Sequence, residues 1–141
     1  MPINAGLMSS ATPEWATPQD LFDSLSLEFG PFDLDVCATA SNAKVARFFD
    51  KAQDGLSQDW RGVCWMNPPY GREIGLWVAK ARQSHARTVC LLPARTDTAW
   101  WHDNMPTAKI VRFLRGRVRF SDSGPAPFPS AVVVFDNLEK E

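Results

Sequence analysis

The sequence predicts an α/β domain with a mainly parallel sheet and a β hairpin near its C-terminus. Three observations carry this expectation. Short apolar runs alternate with segments of helical periodicity. The last third switches to two alternating runs around Gly116. Glycine and proline punctuate nearly every boundary between these segments.

The elements follow in order. Residues 1–12 are small, polar and aperiodic, and read as a loose tail ahead of one domain over 13–141. Leu21, Phe22, Leu25 and Phe29 lie at helical spacing behind Thr17-Pro18. Thr17 suits an N-cap and Pro18 the first helical position. Gly30-Pro31 stops that helix. FDLDVCA (32–38) is a candidate buried strand, TASNAK (39–44) a loop, and VARFF (45–49) a weaker strand. Residues 50–59 are polar and contain a glycine, as a loop should. GVCWM (62–66) is the next strand. Ile74, Trp77, Val78 and Ala81 form an apolar stripe on a helix over 72–86. TVCLLP (88–93) is a buried strand, and a short helix is expected from Asp97. AKIVRFL (108–114) and RVRF (117–120) are the two arms of the expected hairpin. A loop (121–129) then leads to a final strand, SAVVVF (130–135).

Bulk properties narrow the function. The chain has 141 residues, 45% hydrophobic and 22% charged, and a formal net charge of −1. It carries no apolar run long enough to cross a membrane and no signal-peptide pattern, so a cytoplasmic protein is expected. A near-neutral chain confines any nucleic-acid face to a local patch, and Arg112, Arg115, Arg117 and Arg119 are the densest. Cys37, Cys64 and Cys90 sit in apolar runs without CxxC spacing, as buried reduced thiols do. Two isolated histidines give no metal site.

The strongest chemical signal is Asn67-Pro68-Pro69-Tyr70, directly after an apolar strand. Two prolines remove two backbone donors and hold the chain extended. Such a corner aims the Asn67 side-chain oxygen and the Pro68 carbonyl into one pocket. Two fixed acceptors suit an amino group, which has two hydrogens to donate, and Tyr70 offers a stacking face. An exocyclic amine has its lone pair delocalised into the ring and attacks poorly. Holding both hydrogens favours a pyramidal nitrogen that can attack a sulfonium methyl by direct displacement. An ordinary Asn-Pro turn remains the alternative.

Several segments in order resemble the phage N6-adenine DNA methyltransferase family, the small Dam-type enzymes. They are WATPQDLF (15–22), FGPFDLDVCAT (29–39), DGLSQDW (54–60), NPPYG (67–71), LLPARTDTAWWH (91–102), FLRGRVRF (113–120) and FPSAVVVF (128–135). The resemblance implies S-adenosylmethionine as methyl donor and N6 of adenine in double-stranded DNA as acceptor. It implies a Rossmann-like class I methyltransferase sheet, which must be trimmed. Only about thirty residues separate Asp35 from Asn67, where two more strand–helix units would usually fit. The matching positions imply that Thr17, with Trp15 and Ala16, meets the amino-acid end of the donor. Asp35, with Cys37 and Ala38, would cradle it near the ammonium or ribose, although no GxG follows this strand. Asp54 would lie near the donor's adenine, and an Asp-Gly turn explains it equally well. Asn67 would touch both substrates.

Adenine N6 is reachable only when the base leaves the stack. Tyr70 is the first candidate to stack on a flipped base and Phe120 a second. Arg115 and Arg117 suit a DNA-facing edge or a solvated hairpin, and Arg72 and Arg95 would meet phosphates beside the pocket. A monomer or a homodimer is compatible with this reading. Other acceptors, RNA or a protein glutamine amide, and a non-catalytic DNA-binding relative are the alternatives.

Overall fold

The computed structural model describes residues 16–120 and 125–138. The expected tail (1–12) and Trp15 lie outside the described residues. Eight main elements follow in order. They are α1 (Gln19–Phe29), β1 (Leu34–Asp35), β2 (Arg61–Met66), α2 (Ile74–Gln83), β3 (His85–Pro93), α3 (Ala99–Asn104), β4 (Ile110–Phe113) and β5 (Ser130–Asp136). Short 3-10 turns occur at Gly55–Ser57 and Met105–Thr107.

One five-stranded sheet, in the order β1-β2-β3-β5-β4, organises the chain. Its strands alternate side chains between two apolar layers, as period two requires. Cys64, Met66, Cys90, Leu92, Val133 and Phe135 face one layer, which α2 and α3 complete with Trp77, Val78, Ala81 and Trp101. Trp65, Val89, Leu91, Val132 and Val134 face the other, covered by Phe22 and Leu25 of α1 and by Val118, Phe120 and Phe128. Burial on both faces explains why β3 and β5 read as unbroken apolar runs.

The sheet is mixed, so the mainly parallel expectation holds only in part. β1–β2 and β2–β3 are parallel, but β3–β5 and β4–β5 are antiparallel. The expected hairpin is also corrected. β4 pairs with β5, and residues 117–120 form no ladder with it. The alternation in RVRF is a burial pattern instead. Val118 and Phe120 enter the core while Arg117 and Arg119 stay exposed. A bridge from Arg119 to Pro125 and the Ala126 N–H donating to the Val118 carbonyl (2.8 Å) hold this loop. Gly116, at φ 74°, does make the turn.

β1 is shorter than 32–38, because the chain bends as it meets 45–49. That segment lies beside β1 through one bridge, Asp35 to Phe48, rather than as a strand. Thr17 does not cap α1: Pro18 is the N-cap and no side chain accepts there. At the other end of α1, the Glu28 carboxylate accepts two bonds from Arg112 of β4 (2.8 and 2.6 Å). The pair is solvent-accessible, so it orients the helix more than it stabilises it. Among the described residues no helix is long and apolar enough to cross a membrane.

Residues 36–60 replace any further strand–helix units, and Gly55 seats this long connection. A Cβ there would lie 2.2 Å from the Val36 carbonyl oxygen and 3.0 Å from the Trp77 ring. The Gly55 carbonyl accepts the Trp60 indole N–H (2.8 Å), and Trp60 is fully buried and stacked on Trp77. Gly55→Ala should therefore cost about 2 kcal/mol or more in urea denaturation. Gly71→Ala, where an added Cβ meets nothing within 4 Å, should stay within about 0.5 kcal/mol of the parent.

Candidate active site

The parallel register of β1 and β2 aligns Leu34 with Cys64 and Asp35 with Trp65. The carboxyl ends of these strands therefore open side by side, where an α/β sheet normally binds ligands. A cavity of about 540 Å3 lies there, a size common for cofactor sites. Every described residue expected at the donor site lines it: Ala16, Thr17, Asp35, Cys37, Ala38, Asp54 and Asn67.

Asp35 is almost fully buried, at 2% exposure. Its Oδ2 accepts the Lys44 N–H at 3.0 Å and its Oδ1 the Cys37 N–H at 3.3 Å. Desolvation raises its pKa from 3.8 to about 6, against the two backbone hydrogen bonds and the Lys44 charge. The neighbouring Asp33 serves the fold, its Oδ2 accepting the Val63 N–H of β2 (2.8 Å). The loop 39–44 closes over Asp35, and the Lys44 ammonium donates to Gln19 Oε1 at 2.9 Å. This bond ties the loop to the start of α1.

Asn67 leaves β2 into the double-proline corner, with Pro68 buried and Pro69 on the cavity wall. Its Nδ2 donates to Thr17 Oγ1 at 2.9 Å. One side chain from just before α1 and one from just after β2 thus meet on the cavity wall. Tyr70 does not line it. Its hydroxyl donates to the Leu91 carbonyl at 3.0 Å, and burial pushes the phenol pKa well up, so the hydroxyl stays protonated. Its ring meets Phe128 (5.4 Å, 72°) and Phe120 (6.2 Å, 87°) edge-on.

Phe120 is only 1% exposed, which corrects its expected role as a stacking face for a base. It buttresses Tyr70. Arg72, Arg95, Arg115 and Arg117 are exposed. They follow the carboxyl ends of β2, β3 and β4, so all four belong to the edge that carries Asn67. Arg95 lies over the Phe128 ring (5.8 Å) and Arg117 donates to the Ala126 carbonyl (3.2 Å).

The three cysteines are unbridged thiols. Cys64 and Cys90 are buried, and desolvation pushes the Cys64 thiol up to about 12 and Cys90 further. Cys37 is half-buried on the cavity wall.

Several wall residues escaped sequence reasoning: Lys44, Phe49, Asp50, Lys51, Glu73 and Trp77. Trp77 was expected only as core, and it is core, at 6% exposure, as well as wall. Its place on the α2 stripe hid the second role. Asp50 and Lys51 sit in a polar stretch with no period to mark them. The wall carries the carboxylates of Asp35, Asp50, Asp54 and Glu73 against the two ammonium groups of Lys44 and Lys51. With Asp35 ionised, such a lining favours a cationic ligand.

Comparison with known proteins agrees with this geometry. Residues 5–132 match the family described as DNA N-6-adenine-methyltransferase (Dam). The chain is 38% identical over 112 residues to the DNA N-6-adenine-methyltransferase of Haemophilus phage HP1 (strain HP1c1), covering 75% of this chain and 65% of that protein. It is 33% identical over 105 residues to the DNA N-6-adenine-methyltransferase of Escherichia phage T1, covering 71% of this chain and 44% of that protein. A putative methyltransferase of Escherichia coli (strain K12) is 34% identical over 64 residues, 40% of this chain and 70% of that protein. The chain thus spans under two thirds of the length of both phage relatives. A match over nearly its whole length places the chain in the Dam family of DNA N-6-adenine-methyltransferases.

Proposed function

We propose that this chain transfers a methyl group from S-adenosylmethionine to the exocyclic N6 of adenine in double-stranded DNA. The observation that carries the reading is Asn67, held at a double-proline corner on the wall of a cavity that also holds buried Asp35. Membership in the Dam family supports the same activity. The sheet supports a trimmed Rossmann-like methyltransferase fold, since β1, β2, β3 and β4 point one way and β5 alone is reversed.

The residues fit the donor. It carries a sulfonium and an ammonium against one carboxylate, and the wall has four carboxylates and two lysines. When bound, it supplies an electrophilic methyl carbon. Asp35 would meet its positive charge, and Ala16 and Thr17 would hold its amino-acid end. Cys37 and Ala38 line the bend after β1, and Asp54, on a left-handed residue (φ 54°), borders the nucleoside end.

The Asn67 side-chain oxygen and the Pro68 carbonyl accept the two hydrogens of the adenine amine and localise its lone pair for attack. Pro69 stiffens the corner. Tyr70, braced by Phe120 and Phe128, presents a ring against the extruded base. After transfer the nitrogen gives one proton to water. Arg72, Arg95, Arg115 and Arg117 meet DNA phosphates along the same edge, a local patch that a near-neutral protein needs. The working compartment on this reading is the bacterial cytoplasm, where DNA and donor are both present.

Labelled methyl transfer to DNA by the purified chain tests the reading, with tRNA and protein as other acceptors. Asn67→Ala should lower the transfer rate by about 10²–10³-fold or more and change donor affinity, read by calorimetry, less than about threefold. Near-parental turnover in Asn67→Ala would refute the catalytic assignment.

The raised pKa of Asp35 predicts the pH dependence of donor binding. A bound cation favours ionised Asp35, so affinity should climb as pH rises through about 6 and level off above it. Asp35→Asn should weaken binding and remove the inflection. Stability of the empty protein runs the other way. The folded pKa exceeds the ordinary carboxyl value of 3.8, so the Asp35 contribution falls as pH rises from about 4 through 6. Thermal melts of parent and Asp35→Asn across that window read the difference.

A further inference from the structure

We propose that Thr17 is a positioning residue for Asn67: its hydroxyl oxygen sets which end of the Asn67 amide is offered to the acceptor amine. The inference rests on Asn67 acting as the acceptor described above. An asparagine amide has two ends of nearly equal size and opposite hydrogen-bonding character. Turned one way it accepts from an amine, and turned the other way it opposes one. Shape alone does not choose between them, so a partner must.

Thr17 Oγ1 supplies that partner, 2.9 Å from Asn67 Nδ2. Thr17 is 4% exposed, so bulk water does not compete well for the bond. Its backbone is restrained by the proline that follows, and its branched side chain has few rotamers. Pro18 starts α1, which is anchored in the core through Phe22 and Leu25. The oxygen therefore has a fixed place, and with Nδ2 directed at it the amide plane and the direction of Oδ1 are fixed too.

The hydroxyl also links cavity occupancy to that aim. It has one hydrogen and two lone pairs. Thr17 and Asn67 both line the cavity. An anionic group bound there, such as a carboxylate, draws the hydroxyl hydrogen and leaves only lone pairs for Asn67. The bond from Nδ2 then has a single polarity, with Oδ1 left to accept from the amine. Donor binding and the aim of Asn67 are coupled through one oxygen, without any movement of backbone.

Thr17→Val removes that oxygen and keeps the shape, and Thr17→Ser keeps it. With donor and DNA saturating, Thr17→Val should lower kcat about tenfold or more; its donor KM should rise as well, because the same hydroxyl meets the donor, so the loss of kcat at saturation is the deciding readout. Thr17→Ser should stay within about threefold of the parent in both. A second readout needs no turnover. The Asn67 side-chain NH2, assigned by the resonance lost in Asn67→Asp, should exchange slowly with solvent in the parent and in Thr17→Ser. It should exchange faster in a folded Thr17→Val protein.

Unchanged kcat with a raised donor KM in Thr17→Val would overturn the proposal and make Thr17 a donor contact only. An Asn67 amide that exchanges in the parent as fast as an exposed asparagine would overturn it even if Thr17→Val fails to fold. If instead Asn67→Ala keeps near-parental turnover, the underlying catalytic reading has failed, an outcome distinct from either result at Thr17.

Discussion

The parallel pairing of β1 with β2 is the constraint on which the site depends. A two-residue strand is a weak element by itself, yet its register sets Asp35 beside Trp65, two residues before Asn67. The carboxylate and the amide come from segments about thirty residues apart and line one cavity because the two strands end side by side. Burial holds this register. Leu34 and Cys64 sit fully inside one apolar layer, and a one-residue slip would turn them to the other face of the sheet.

Around that register the protein places polar groups where apolar ones would be more stable. Buried Asp35 is held by two backbone N–H groups and a nearby lysine, which only partly offset its desolvation. Asn67 Nδ2 donates to Thr17 Oγ1 on the wall of the same cavity. Elsewhere the two layers are nearly all hydrocarbon and aromatic, with Trp60 and Trp77 stacked behind the cavity and Tyr70, Phe120 and Phe128 packed beside it. Rigid aromatic walls allow a polar floor to stay aimed without filling the space between them.

The long connection from Val36 to Trp60 does the work of the missing strand–helix units. It is seated by Gly55 against Val36 and Trp77 and by the Lys44–Gln19 bond at the mouth. A trimmed sheet leaves one side of the cavity without a regular element. Here loop residues line it, among them Asn42, Lys44, Phe49 and Asp50. This arrangement also explains how a cavity forms at the end of β1 without a GxG turn.

The elements written in local period were legible in the chain: the stripe of α2, the apolar runs of β2, β3 and β5, and the stiff corner at Asn67. So were the cavity-wall residues from Ala16 to Asn67, because the motifs that carry them are contiguous. Tertiary structure alone decided that β4 pairs with β5 instead of folding back at Gly116. It also decided that Phe120 is packed against Tyr70, that Thr17 bonds to Asn67 rather than to a helix end, and that Trp77 is both core and wall. The division has a physical cause. Backbone stiffness and amphipathic period belong to a few neighbouring residues. Strand partnership, burial and the target of a hydroxyl depend on competition among groups that are distant in the chain.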